Sequence, residues 1–315
     1  MRVFITGVNS FVGRFLSQEL VAARHEVWGS VRAHDREVPP GLTKPPFVSG
    51  DIGGTTFWRA ALQDVDAIVH LAARVHVFDE TSIDPAEAFW SVNVEGTRRL
   101  VQEAVAAQVK RIIFLSSVGI HPVPPEGQSL DEQSPIAPRN DYARSKWEAE
   151  QVLLAMKEEI SVVILRAPMV YGPQAPGNFG RLVGLVKKGI PLPLGRITNA
   201  RSMIYVRNLT HAISQCLLPE RVAEQTFCVC DNEAVSTPTL IQYIAEGLGK
   251  APRLLPSSTL LLRLGGKLIG RSKEIERLVG SLPVDDTRFR TLMSWTAPFA
   301  TSAAIKASAA AFRTN

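Results

Sequence analysis

Cysteine is scarce in this chain, and the little there is does not make a scaffold. Cys216, Cys228 and Cys230 are the only three, too few for a disulfide framework and without a second Cys/His pair at zinc-ligand spacing, so no metal site is expected. That usage fits a reducing cytoplasm. Long apolar runs are missing too. Leu260-Leu261-Leu262 is cut off by Arg263 far short of membrane-spanning length, and the residues just after Met1 already read as a strand rather than a leader. Runs of one charge are absent apart from Lys187-Lys188 and short arginine pairs, and the formal net charge is a modest +5, so neither nucleic-acid binding nor membrane insertion is expected. No internal repeat appears, and the one biased tract, the Ala-rich stretch at 303–311, reads as a terminal helix.

What remains is an ordinary globular composition, 45% hydrophobic and 21% charged over 315 residues, enough for a large α/β unit with an appended lobe. Val3-Phe4-Ile5 reads as a short buried strand, followed by Thr6-Gly7-Val8-Asn9-Ser10-Phe11-Val12-Gly13 and an amphipathic helix through Val21. Strand, glycine-bearing turn and helix present backbone N–H groups and a helix N-terminus to a pyrophosphate, although an ordinary βα turn has the same outline. Ser10 stands where the middle glycine of a G-x-x-G-x-x-G turn is expected. The next strand, His25 to Val31, ends in Arg32 with no acid for ribose hydroxyls. Arg32 is thus placed to meet a 2′-phosphate, which points to NADP; lying over adenine or in solvent is the alternative. Asp51-Ile52 follow a third short strand, where Asp51 can accept from an adenine amino group.

The strand Ala67 to His70 runs into Leu71-Ala72-Ala73, small residues that let a cofactor approach the backbone, while His70 reads as a packed strand end. Asn93 is a polar residue in one helix expected from about Pro85 to Ala107, placed to hold a water or a backbone group behind a site. Arg111 to Leu115 reads as a central strand with Ser116-Ser117 at its carboxyl end, where ligands bind in open α/β sheets. Ser161 to Leu165 is a further buried strand, and its alternation with helices argues for a parallel doubly wound sheet. From Tyr171 to Arg201, Pro, Gly and basic residues become frequent, which suggests a lobe of loops and short helices. Thr226 to Cys230 reads as a strand with Cys228 and Cys230 on one face and Val229 on the other.

The stretch Asp141-Tyr142-Ala143-Arg144-Ser145-Lys146 carries the most chemistry. On a helix, a spacing of four stacks Tyr142 and Lys146 on one face. A free phenol titrates near a pKa of about 10, and a neighbouring cation favours phenolate, so Lys146 is expected to bring Tyr142 towards a working proton carrier.

With these residues in view, the chain resembles the extended short-chain dehydrogenase/reductase family, especially its nucleotide-sugar epimerases and reductases. The likeness takes in Thr6-Gly7 through Gly13, Asp51-Ile52, His70 to Ala73, Asn93-Val94-Glu95-Gly96-Thr97, Leu115-Ser116-Ser117, Tyr142 with Lys146, Arg166 to Pro173 and Arg201 to Val206. It implies a Rossmann-type doubly wound parallel sheet with a smaller C-terminal substrate-binding lobe. Residues 1–168 would form the dinucleotide-binding domain and 169–315 mainly the lobe, with some later elements returning to the sheet. It implies a catalytic group of Ser117, Tyr142 and Lys146, and NAD or NADP held by Thr6, Gly7, Ser10, Phe11, Val12, Gly13, Arg32, Asp51, Ile52, Leu71, Ala72, Ala73, Asn93 and Pro168 as well as Tyr142 and Lys146. Asn178 and Arg201, with Arg277 as a second cation, would meet the diphosphate of a UDP-linked sugar, and Ile190 to Gly195 its base. Dehydratases of the family place Asp-Glu after the serine; here Val118-Gly119 follow, so 4,6-dehydration is not expected. His121 stands where the family commonly has Tyr. The implied function is hydride transfer at C4 of a nucleotide sugar for surface polysaccharide, by a 4-epimerase or a 4-keto reductase. A reductase of a non-sugar carbonyl and a non-catalytic dinucleotide sensor are the other readings. A homodimer through the helices bearing Asn93 and Tyr142 is expected.

Overall fold

The computed structural model describes residues 1–33, 37–75, 84–218, 222–268, 270 and 272–313, apart from the side chains at 266, 273, 274 and 277. Its first half runs β1 (Arg2–Thr6), α1 (Phe11–Ala22), β2 (Glu26–Val31), β3 (Phe47–Val48), β4 (Ala67–His70), α2 (Pro85–Trp90), α3 (Gly96–Ala106), β5 (Arg111–Ser117), α4 (Asp141–Leu154) and β6 (Ser161–Ala167). The second half adds β7 (Met169–Tyr171), α5 (Asn178–Lys187), β8 (Met203–Tyr205), α6 (Val206–Gln215), β9 (Gln225–Cys228), α7 (Thr237–Leu248), α8 (Thr259–Leu268), α9 (Ser272–Val279), α10 (Thr287–Met293) and α11 (Thr301–Ala310).

The main sheet has the order β3-β2-β1-β4-β5-β6-β9, and every pairing in it is parallel. Its central strands are apolar on both faces because helices cover both. On one face Val3, Ile5 and Leu165 pack with Leu16 and Leu20 of α1, Leu209 and Ile213 of α6, and Phe289 and Trp295. On the other, Phe4, Ile112 and Ile164 pack with Trp58, Leu100 and Val101 of α3, and Val152 and Leu153 of α4. A third core joins α5, α7 and α11 in the lobe, beside the two-stranded β7-β8 pair.

The division at residue 168 is therefore crossed more than once. β9 returns to the edge of the main sheet, and α6 with Phe289 covers that sheet's face. Cys228 and Cys230 face one core and Val229 another, as the alternation of the strand requires, and all three cysteines are free.

One helix from Pro85 to Ala107 is not what forms. A π-helical turn, Ser91–Glu95, separates α2 from α3. Asn93 lies in it, buried, with Oδ1 accepting from Arg74 N at 2.8 Å and Nδ2 donating to Arg74 O at 3.0 Å and Ser145 Oγ at 2.9 Å. The widened turn matches these distant partners, which a regular α-helical register is not set to meet.

Candidate active site

β1 and β4 are neighbours, while β2 and β3 lie beyond β1 and β5 and β6 beyond β4, so the order of winding reverses between them. At such a switch point the loops part and leave a crevice at the carboxyl ends of the strands. Here it is a cavity of about 800 Å³ that runs from Arg32 and Asp51 past the β1–α1 turn to Ser117, Tyr142 and Lys146. Gly7 has φ +69°, and a Cβ there would lie 3.3 Å from Ala72 Cα across the crevice. Gly13 serves packing: a Cβ on it would come within 2.4 Å of Gly7 O. Ser10 needs no glycine-like freedom, since its φ is −67° and its Oγ caps α1 by accepting from Gly13 N at 3.1 Å.

Of the residues expected along a cofactor, Gly7, Ser10, Phe11, Val12, Arg32, Asp51, Ile52, Leu71, Ala72, Ala73 and Pro168 line this cavity. Thr6, Gly13 and Asn93 do not. Asn93 holds the backbone at Arg74 and, through Ser145, the helix that carries Tyr142. Thr6 Oγ1 accepts from Leu71 N and Ala72 N, at 3.1 and 3.0 Å, and so shapes the β4 end from behind. Arg32 is engaged with Asp51, Nε to Oδ1 at 2.8 Å, in an exposed pair.

His70 is fully buried in a chain of hydroxyls. Thr97 Oγ1 donates to Asn93 O at 2.6 Å and so must accept from His70 Nε2 at 2.9 Å, which leaves His70 Nδ1 to accept from Thr6 Oγ1 at 2.7 Å. Burial, aided by the Lys146 charge, lowers its pKa to about 3. His70 is a neutral packing residue with both nitrogens occupied.

Tyr142 and Lys146 share one face of α4, whose first turn is fixed by Asn140 Oδ1 accepting from Ala143 N at 2.8 Å. Ser117 ends β5, and its Oγ accepts from Gly119 N at 3.0 Å and hydrogen-bonds to Tyr142. The electrostatics differ from the expectation that Lys146 lowers the phenol. Burial pushes Tyr142 up to about 12, against a smaller downward effect of the Ser117 bond. The ammonium is itself desolvated, its pKa lowered by burial to about 7 despite Glu150, and it lies 3.8 Å from the centre of the Phe114 ring. Desolvation outweighs the Ser117 hydrogen bond at Tyr142 and the Glu150 attraction at Lys146.

Ser116, beside Ser117, faces the other way and donates to Glu150 Oε1. Glu150 takes a two-pronged bond from Arg166, Nε at 3.1 Å and Nη2 at 2.7 Å, with both side chains almost wholly buried. His121 completes this group. Its Nδ1 donates to Ser134 O and Pro135 O at 3.1 and 3.0 Å, and Nε2 accepts from Arg166 Nη1 at 3.4 Å. Burial is the main cause that lowers its pKa, consistent with this neutral tautomer. Glu150 was not singled out from sequence, although it stands one turn beyond Lys146.

From the lobe, Asn178 and Leu282 reach the cavity wall. Arg201 does not. Its guanidinium donates to Gly280 O at 2.9 Å, while its backbone bridges Val235 and Leu282. The side chain of Arg277 lies outside the described residues.

Residues 3–229 match the model of the NAD dependent epimerase/dehydratase family. The chain is 36% identical over 314 residues to a UDP-glucose 4-epimerase of Vibrio cholerae, covering 98% of this chain and 95% of that protein. It is 28% identical over 270 residues to an N-acetyl-alpha-D-glucosaminyl-diphospho-ditrans,octacis-undecaprenol 4-epimerase of Escherichia coli O157:H7, covering 84% and 76%. The structure of a UDP-glucuronic acid 4-epimerase from Bacillus cereus in complex with NAD superposes with a TM-score of 0.80 over 100% of this chain and 99% of that one, at 19% identity, a likeness of fold.

Proposed function

This chain belongs to the NAD dependent epimerase/dehydratase family, and from that premise we propose that it is an NAD-dependent 4-epimerase of a nucleotide sugar, UDP-linked, serving polysaccharide biosynthesis. The observation that carries the reading is the hydrogen-bonded pair Ser117 and Tyr142 with Lys146 in the wall of a cavity that passes the Gly7 turn. A dinucleotide fits that wall: the turn is bare where a Cβ would press on Ala72, and the capped start of α1 opens onto the cavity. Asp51 beside Arg32 favours NAD over NADP, because its carboxylate both engages the guanidinium and repels a 2′-phosphate.

When bound, NAD supplies the hydride acceptor, returns the same hydride, and in its oxidised form brings a positive ring that favours phenolate. Tyr142 Oη takes the C4 hydroxyl proton as that carbon is oxidised and gives it back when the carbon is reduced on its other face. Ser117 Oγ holds the same oxygen. Asn178 positions the sugar nucleotide from the lobe. Val118 and Gly119, next after Ser117, carry no acid or base for dehydration. A homodimer through the outer faces of α3 and α4, in the cytoplasm, completes the reading.

Purified protein is expected to interconvert a UDP-hexose and its C4 epimer without added cofactor, and to release NAD on denaturation. Tyr142→Phe is expected to lower turnover by about 10²–10⁴-fold with NAD binding kept. Exchangeable NADPH with net consumption of reductant would instead establish the 4-keto reductase, and unchanged turnover in Tyr142→Phe would remove Tyr142 from the chemistry.

A further inference from the structure

Among the described residues, uncovered apolar side chains are most concentrated at α8, none of whose residues lines the cavity. Five of the fifteen exposed large apolar side chains among the described residues fall in one short stretch: Leu255, Leu260, Leu261, Leu264 and Leu268, at 51, 67, 64, 52 and 87% exposure. At about 3.6 residues per turn, positions 260, 261, 264 and 268 fall within an arc of about 100°. Leu262, on the opposite side, packs against the lobe core. One edge of α8 thus fixes the helix to the lobe while a whole leucine face points outward. Single exposed leucines are ordinary, but four on one helical arc mark an interaction surface.

Charge identifies what the surface meets. The basic residues are not evenly balanced along the chain. From 247 to 280 there are seven, Lys250, Arg253, Arg263, Lys267, Arg271, Lys273 and Arg277, against Glu274 and Glu276, a net charge equal to the +5 of the whole chain. Lys267, three residues beyond Leu264, borders the leucine arc and is exposed. Arg263 is partly offset by Glu276 of α9, Nε to Oε1 at 2.7 Å. A leucine face with Lys267 at its border, in a segment of net positive charge, suits a surface that is apolar beneath and anionic at its rim. A second copy of the chain would bring like charges together. α8 has ten residues, about 15 Å, half the thickness of a bilayer core, so it lies along an interface and does not span one.

We propose that this face of α8 is a peripheral docking surface for an anionic lipid bilayer. The leucines sit at the boundary of headgroups and acyl chains and the cations among the headgroups. The inference does not rest on the reaction assigned above. Its test is sedimentation of the full chain with vesicles of phosphatidylcholine containing about a third phosphatidylglycerol, at low salt. Wild-type protein is expected to pellet with these vesicles, and with pure phosphatidylcholine about tenfold less. Leu260→Ser combined with Leu264→Ser and Leu268→Ser is expected to reduce binding about tenfold with an unchanged unfolding midpoint, and Lys267→Glu to reduce it severalfold. Wild-type protein that stays in the supernatant, triple-variant binding equal to wild type, or a leucine-dependent dimer in sedimentation equilibrium would each overturn the proposal.

Discussion

Two buried groups flank the Ser117–Tyr142 pair, and each makes a measurable demand on the fold. His70 is neutral in the folded chain, with a pKa of about 3 against an ordinary 6.5. Below pH 6.5 the unfolded chain takes up a proton that the folded one refuses, so stability falls as pH drops from about 6.5 to about 3. The slope is up to about 1.4 kcal/mol per pH unit. Urea titrations over that range are expected to show a shallower dependence in His70→Asn than in wild type, whatever the difference in absolute stability. Arg166→Met leaves the Glu150 carboxylate without its fork in a site of 0% exposure and is expected to cost about 3–5 kcal/mol in the same titrations, much of it recovered by adding Glu150→Gln. The choice of Ser117 came from the family resemblance, but Ser116-Ser117 at a strand end and Tyr142 four residues before Lys146 were legible in the sequence because both are local features. Glu150 with Arg166 and His121 was not, since these residues come from different segments and only folding brings them together. The direction of the Tyr142 shift was misjudged for a related reason: spacing reports a neighbour but not how much water the phenol itself has lost.

The element with the clearest departure from a sequence rule is α1. A serine in the place of a turn glycine looked like a defect in a phosphate-binding turn; the structure makes it the cap of the helix that the turn feeds. Ser10→Ala is therefore expected to cost about 1 kcal/mol and Ser10→Gly a few tenths, read as shifts in denaturation midpoint. Had the position needed glycine's freedom, Ser10→Gly would stabilise the chain. β1 to β6 and their parallel arrangement were readable from short apolar runs between helices; β7 and β8, at the two ends of a region read as loops and short helices, were not. The π-helical turn was not, because its bonds to Arg74 and Ser145 reach across 19 and 52 residues. β9 could be seen as a strand, but its place beside β6 follows from packing that periodicity does not encode.

For the molecule as a whole, the dinucleotide half and the lobe are interleaved rather than consecutive. One face of the sheet is closed by α1 together with α6, Phe289 and Trp295, the last three all beyond residue 168. A fragment of residues 1–168 is expected not to fold by itself. Circular dichroism and amide exchange should show a collapsed, weakly protected chain; a cooperative unfolding transition would contradict this. The return of β9 and α6 also sets a timetable at the ribosome. After β6 emerges, well over a hundred further residues must be translated before Trp295 can shield the apolar side of the sheet, a delay on the order of ten seconds. Throughout that interval the nascent chain is a client for chaperones, and a slow-codon stretch or a truncating lesion late in the gene would prolong the exposure of its earliest-made strands.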